Sequence, residues 1–238
     1  VMKKLVLLFL CAGLLGIAPS APADLDPELQ KKVKKSVDRG LRFLKEKQNE
    51  DGSWNAPHGE PHPGITALIL VGFLRSPREY DDSDGPFMRR PVEYLLALQK
   101  QDGGIYDREL QNYVTAVSLM ALRLAADRFQ DEDLVERIRT AIEGAKGFLV
   151  QLQADEGEGY TPEDKLYGGV GYGGDLRPDL SNTQLAVEAL QESGLPADHP
   201  FFEKAVRFVQ RCQNRSESND QAWAGSDGGF VYYPGKTY

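Results

Sequence analysis

A few side-chain groupings in this sequence have a composition suited to chemistry. Asp81-Asp82-Ser83-Asp84 gathers three carboxylates in four residues. Neighbouring carboxylates and hydrogen bonds are what tune a carboxyl group into a proton donor. The run lies beside Gly85-Pro86, however, and reads as a solvated acidic turn. His58 and His62 stand four residues apart, the spacing of paired metal ligands on one helix face. Pro57, Pro61 and Pro63 exclude a helix there, so the spacing loses that meaning. Cys212 and His199 lie 13 residues apart on one expected helical stretch. At ~1.5 Å of rise per residue they are too distant to share a metal's ligand set. There is no G-x-S-x-G nucleophile, no phosphate loop and no Cys-x2-Cys pair. No metal and no cofactor are expected, and no catalytic residue is assigned.

The elements that would position such groups come from an ordinary soluble composition. The chain has 238 residues, 27% charged and 41% hydrophobic, with a formal net charge of −8. That acidity weighs against nucleic acid or an anionic membrane surface as partner. Residues 1–23 differ in kind. Lys3 and Lys4 precede an apolar run over 5–18, and Ala21-Pro22-Ala23 closes it with small residues. This is the pattern of a secretory signal peptide cleaved after Ala23, which predicts a secreted or periplasmic protein. The apolar run is short of the ~20 residues that a membrane span needs, and no later stretch is longer. No stable span is expected after cleavage. The domain then covers 24–238, where Cys212 is the sole cysteine, so no internal disulfide forms.

Within that domain the periodicity is helical. Leu29, Val33, Val37, Leu41 and Leu44 recur at helical spacing over 28–47, with lysines and arginines on the other face. Residues 65–74 are apolar without a charge, as a buried helix is. Further helices are expected over 91–99, opened by Pro91, and over 112–128, 131–153, 183–192 and 200–213. Ser181 or Asn182 is the expected cap of the sixth. Residues 154–179 form a Gly- and Tyr-rich insertion, longer than most connections in compact domains and so a place to look for function. Charged amphipathic helices alternate with helices that carry almost no charge, Glu188 being a late exception in the last. Two layers follow, an inner row that avoids water and an outer row that faces it.

One motif repeats along the outer row. Phe43, Tyr94, Phe148 and Phe208 each stand five residues before a glutamine: Gln48, Gln99, Gln153 and Gln213. The aromatics are 51, 54 and 60 residues apart. Gly52 and Trp54 complete the first copy, Gly103 follows in the second, and Gly157 is read as its counterpart in the third. A fixed period of this size marks a repeat architecture.

The run Arg39-Gly40-x2-Phe43-Leu44-x3-Gln48-x3-Gly52-x-Trp54 resembles the QW repeat of squalene-hopene and oxidosqualene cyclases, and the related repeat of protein prenyltransferase β subunits. The inner helices agree, with Thr66-Ala67, Thr115-Ala116 and Thr183-Gln184 each near the start of an apolar run. The resemblance covers essentially all of 28–238. It implies an all-α fold, an α/α toroid of helical hairpins. Three complete hairpins and the first helix of a fourth are present, an incomplete barrel or a fragment of one. It also implies that the Gln and Trp lock neighbouring hairpins together. Family cyclases carry an acid in a D-x-D-D motif, which Asp81-Asp82-Ser83-Asp84 does not reproduce in order. The Asp/Cys/His zinc set of the prenyltransferases is missing too.

In such toroids the loops leading to the inner helices open onto a central cavity. That rim would hold His62, Asn112, Tyr113, Asp179 and Asn182, with Tyr160, Tyr167 and Tyr172 added by the insertion. Apolar helices with aromatics at their mouth suit an apolar, isoprenoid-like ligand. The alternatives are a non-catalytic interaction module of the cell envelope with a protein partner, or a polysaccharide hydrolase or lyase on the same barrel.

Overall fold

The computed structural model describes residues 26–173 and 177–235. The fold is all-α: among the described residues there are seven α-helices and no strand, only isolated bridges. They are α1 (Pro27–Glu46), α2 (Pro63–Leu74), α3 (Pro86–Ala97), α4 (Gln111–Arg128), α5 (Glu132–Gln151), α6 (Leu180–Glu192) and α7 (Pro200–Cys212). None of them is long and apolar enough to cross a membrane. The expected signal segment lies outside the described residues. The chain divides into two units after Gly40. In the first, the described part is the amphipathic start of α1, with Leu29 and Val33 about half exposed.

The second unit is layered. The charge-poor helices α2, α4 and α6, whose few charges fall in the C-terminal halves of α4 and α6, lie side by side with α4 in the middle. Eleven residues of α4 are buried, from Asn112 to Ala125. The charged helices α3, α5 and α7 bury a single stripe each, such as Leu134, Ile138, Ala141, Ala145 and Phe148 of α5. This is the burial that the alternation of charge predicts, since an ionised side chain cannot enter the middle row unpaired. Aromatic packing seals the first hairpin. Phe73 of α2 touches Trp54, Tyr80 and Phe87, the last two edge-on with centroids 5.2 and 5.7 Å away.

The glutamine motif is a clasp between successive repeats. Gln48 Nε2 donates to Gly52 O and to Phe87 O of α3. Gln99 Nε2 does the same to Gly103 O and Ala141 O of α5, and Gln153 Nε2 to Gly168 O and Phe201 O of α7. Phe87, Ala141 and Phe201 each stand 12 residues before the next motif's glutamine. The glycine of each clasp has φ near 90° and lies against the next outer helix, where a Cβ would overlap Arg90, Gly144 or Lys204. Two residues after that glycine, the backbone N–H of Trp54, Ile105 or Val170 donates to the hydroxyl of Thr66, Thr115 or Thr183 in the inner helix. One side chain thus ties a hairpin to the next, and another ties its own two helices.

Several expectations change. The third copy uses Gly168, not Gly157, because residues 154–167 are inserted between Gln153 and its glycine. Gly157 sits in the 3-10 turn Glu156–Glu158. The third helix begins at Pro86, and Pro91 lies inside it. Proline has no N–H, so the Phe87 carbonyl four residues earlier lacks its helical donor, and Gln48 supplies one at 2.9 Å. The sixth helix is capped by Asp179, whose carboxylate accepts from Asn182 N, rather than by Ser181 or Asn182. The acidic run is a turn, but only partly solvated. Asp81 and Asp84 form a capping box, and the mostly buried Asp82 carboxylate accepts from Gln130 N and Asp131 N ahead of α5.

Candidate functional site

The N-terminal ends of α2, α4 and α6 gather most of the residues expected at the rim. At the first end, His62 caps α2: its Nδ1 accepts from Ile65 N at 3.3 Å. His62 and His58 line a cleft of about 500 Å³ between the 56–63 and 107–110 loops, floored by Ile65, Leu110 and Val114. Leu110, the residue before α4, has φ 55 and ψ 42, a left-handed conformation that leucine seldom adopts. Among the described residues no group of three or more His, Cys, Asp or Glu side chains is placed to hold a metal ion.

The second end, between α4 and α6, is denser. Asn112 is fully buried, and its Nδ2 donates to the Asn182 carbonyl and to Asn182 Oδ1, each at 3.0 Å. Asn182 Nδ2 donates to Asp179 Oδ2, and Ser181 Oγ to Asp179 Oδ1. Tyr113 Oη donates to Ser181 Oγ at 2.6 Å. Tyr232 Oη is 2.8 Å from Ser181 Oγ and 3.3 Å from Tyr172 Oη. The Tyr113 and Tyr172 rings pack at 5.5 Å. Burial pushes the phenols of Tyr113 and Tyr232 above their usual range. The backbone repeats here as well: Tyr172 O accepts from Asn112 N, and Tyr232 O from Leu180 N.

Asn112, Tyr113, Tyr172, Asp179 and Asn182 therefore meet, and His62 borders the adjoining cleft. Tyr160 and Tyr167 do not join them. Tyr160 N donates to Asp155 O, and Tyr167 Oη to Glu156 Oε1 at 2.7 Å, on the side of the insertion that packs on α7. Lys204 of α7 closes that side through Asp155 and Glu156. Sequence reasoning passed over Tyr232. The signal was the register of the repeat: Tyr232 follows Phe230 by two residues, as Tyr172 follows Val170.

Asp179 is fully buried, and its two oxygens accept from Asn182 N, Ser181 Oγ and Asn182 Nδ2, so the carboxylate is engaged in the cap of α6. Burial raises the Cys212 thiol to about 12, with the Asp179 charge adding to it, so no thiolate nucleophile is available near neutral pH. What the cluster offers is a set of neutral hydroxyl groups at the end of an apolar helix row.

No protein-family model matches the chain. A 121-residue segment, 51% of the chain, is 32% identical to squalene–hopene cyclase of Alicyclobacillus acidocaldarius and covers 16% of that protein. A 74-residue segment, 31% of the chain, is 32% identical to alpha-onocerin synthase LCD of Lycopodium clavatum and covers 9% of it. The chain thus spans less than a fifth of the length of these two relatives. Over these segments it is similar to terpenoid cyclases.

Proposed function

We propose that the chain is an exported, terpenoid-cyclase- and prenyltransferase-like repeat module, an arc of an α/α toroid, that holds an apolar, isoprenoid-like ligand at the N-terminal ends of its inner helices. The observation that carries the reading is the row α2, α4 and α6, free of charge over its N-terminal turns and ending there in the Tyr113–Tyr172–Tyr232 cluster. Apolar walls with a few convergent polar groups are the usual make-up of a small-molecule site. The likeness to squalene–hopene cyclase supports the same ligand class. The role proposed is binding. The carboxylates that could have acted as acids are engaged in helix caps and turns.

Thermal unfolding of purified 24–238 with squalene and with farnesol tests this. The expected result is a ligand-dependent rise in Tm that saturates. No rise with any isoprenoid overturns the reading. A second reading, a protein-interaction module, draws on Leu68 and Phe230, both 55% exposed. Crosslinking in envelope extracts that recovers no partner counts against it.

A further inference from the structure

The hydroxyl groups between α4 and α6 have a direction, set by one proton per hydroxyl. The Asp179 carboxylate accepts, so Ser181 Oγ gives its proton to Asp179 Oδ1 at 2.9 Å. Ser181 Oγ must then accept from both phenols near it, Tyr113 at 2.6 Å and Tyr232 at 2.8 Å. Tyr232, its proton committed to Ser181, can only accept from Tyr172 at 3.3 Å. Every proton points inward, towards Asp179. The half-buried Tyr172 oxygen, which also neighbours the Tyr113 hydroxyl, ends the relay, and among the described residues no donor is left for its lone pairs. The neighbouring Asn112 Oδ1 is also an acceptor, buried and without a hydrogen-bond partner among the described residues. The local surplus is of acceptors.

We infer that this cluster is a head-group site for a ligand that brings a hydrogen-bond donor, namely an isoprenoid alcohol whose hydroxyl donates to Tyr172 Oη. The inference rests on the isoprenoid reading above and adds the head group to it. An ether or hydrocarbon of the same length offers no donor and leaves the acceptors unpaired, which a buried site penalises. A diphosphate brings more acceptors and negative charge towards Asp179, so it is disfavoured twice.

Calorimetric titration of 24–238 with farnesol, farnesyl methyl ether, farnesene and farnesyl diphosphate decides it. Farnesol is expected to bind about tenfold more tightly than the ether and the hydrocarbon, the worth of one hydrogen bond in such a site. Tyr172→Phe should erase that preference while hydrocarbon affinity stays. Equal affinity for alcohol and ether, or tighter diphosphate binding, overturns the head-group inference and leaves the isoprenoid reading standing. No binding by any of the four removes both. If Tyr172→Phe does not fold, the alcohol-to-ether ratio of the native chain decides alone: about tenfold supports the inference, and near unity overturns it.

Discussion

Gln153 Nε2 donates to the carbonyl of Phe201 at 2.9 Å, across 48 residues of sequence. The same nitrogen donates to Gly168 O at 2.9 Å. One amide thus closes a turn and fastens the next outer helix. Among the described residues Gln213 makes the turn half of this clasp, a bond to Gly228 O at 3.3 Å.

Removing these amides should therefore have unequal effects. Gln153→Ala strands two buried carbonyls and should lower stability by about 2–4 kcal/mol. Gln213→Ala loses one long bond near solvent and should cost under ~1 kcal/mol. Urea denaturation of both variants measures the difference. Equal losses would contradict the clasp.

The glycines of the third repeat separate in the same way. Gly168 has φ 86 and faces the Lys204 backbone. Gly168→Ala should cost at least ~1–2 kcal/mol for the left-handed backbone, with the overlap adding to it. Gly157, in an exposed turn, should tolerate alanine within ~0.5 kcal/mol. A larger drop in Tm for Gly157→Ala would restore it as the motif glycine.

The ion cluster on α7 gives a pH signature. Lys204 Nζ lies 2.8 Å from Asp155 and 2.7 Å from Glu156, and Tyr167 donates to Glu156. The bond from Lys204 is the main cause that holds Glu156 down at about 2. Its folded value lies below the ordinary one, so the stabilisation is complete above about pH 4.5 and fades as pH falls towards 2. Lys204→Met should lower Tm at pH 7, and the gap to the native chain should narrow steadily below pH 5. A gap that widens on acidification would refute the assignment.

What the sequence determined by itself was local and periodic. The alternation of charged and uncharged helices is written in residues such as Leu134, Ile138 and Ala141 against the run from Asn112 to Leu122. Burial then follows, because apolar faces leave water and charges stay in it. The glutamine period was legible for the same reason, since a clasp made at each hairpin recurs at each hairpin. The tertiary structure decided whatever depends on partners distant in sequence. A spacing rule alone selected Gly157. Packing against Lys204 selected Gly168, because that glycine, unlike Gly157, lies against the next helix. Pro91 has the look of a helix start, yet Gln48, 43 residues earlier in the chain, supplies the donor that its ring removes and lets the helix run through it. The rim residues Asn112, Tyr113, Tyr172, Asp179 and Asn182 were individually visible. Their joining through Ser181 and Tyr232 was not, since hydrogen bonds across 51 to 70 residues leave no local pattern.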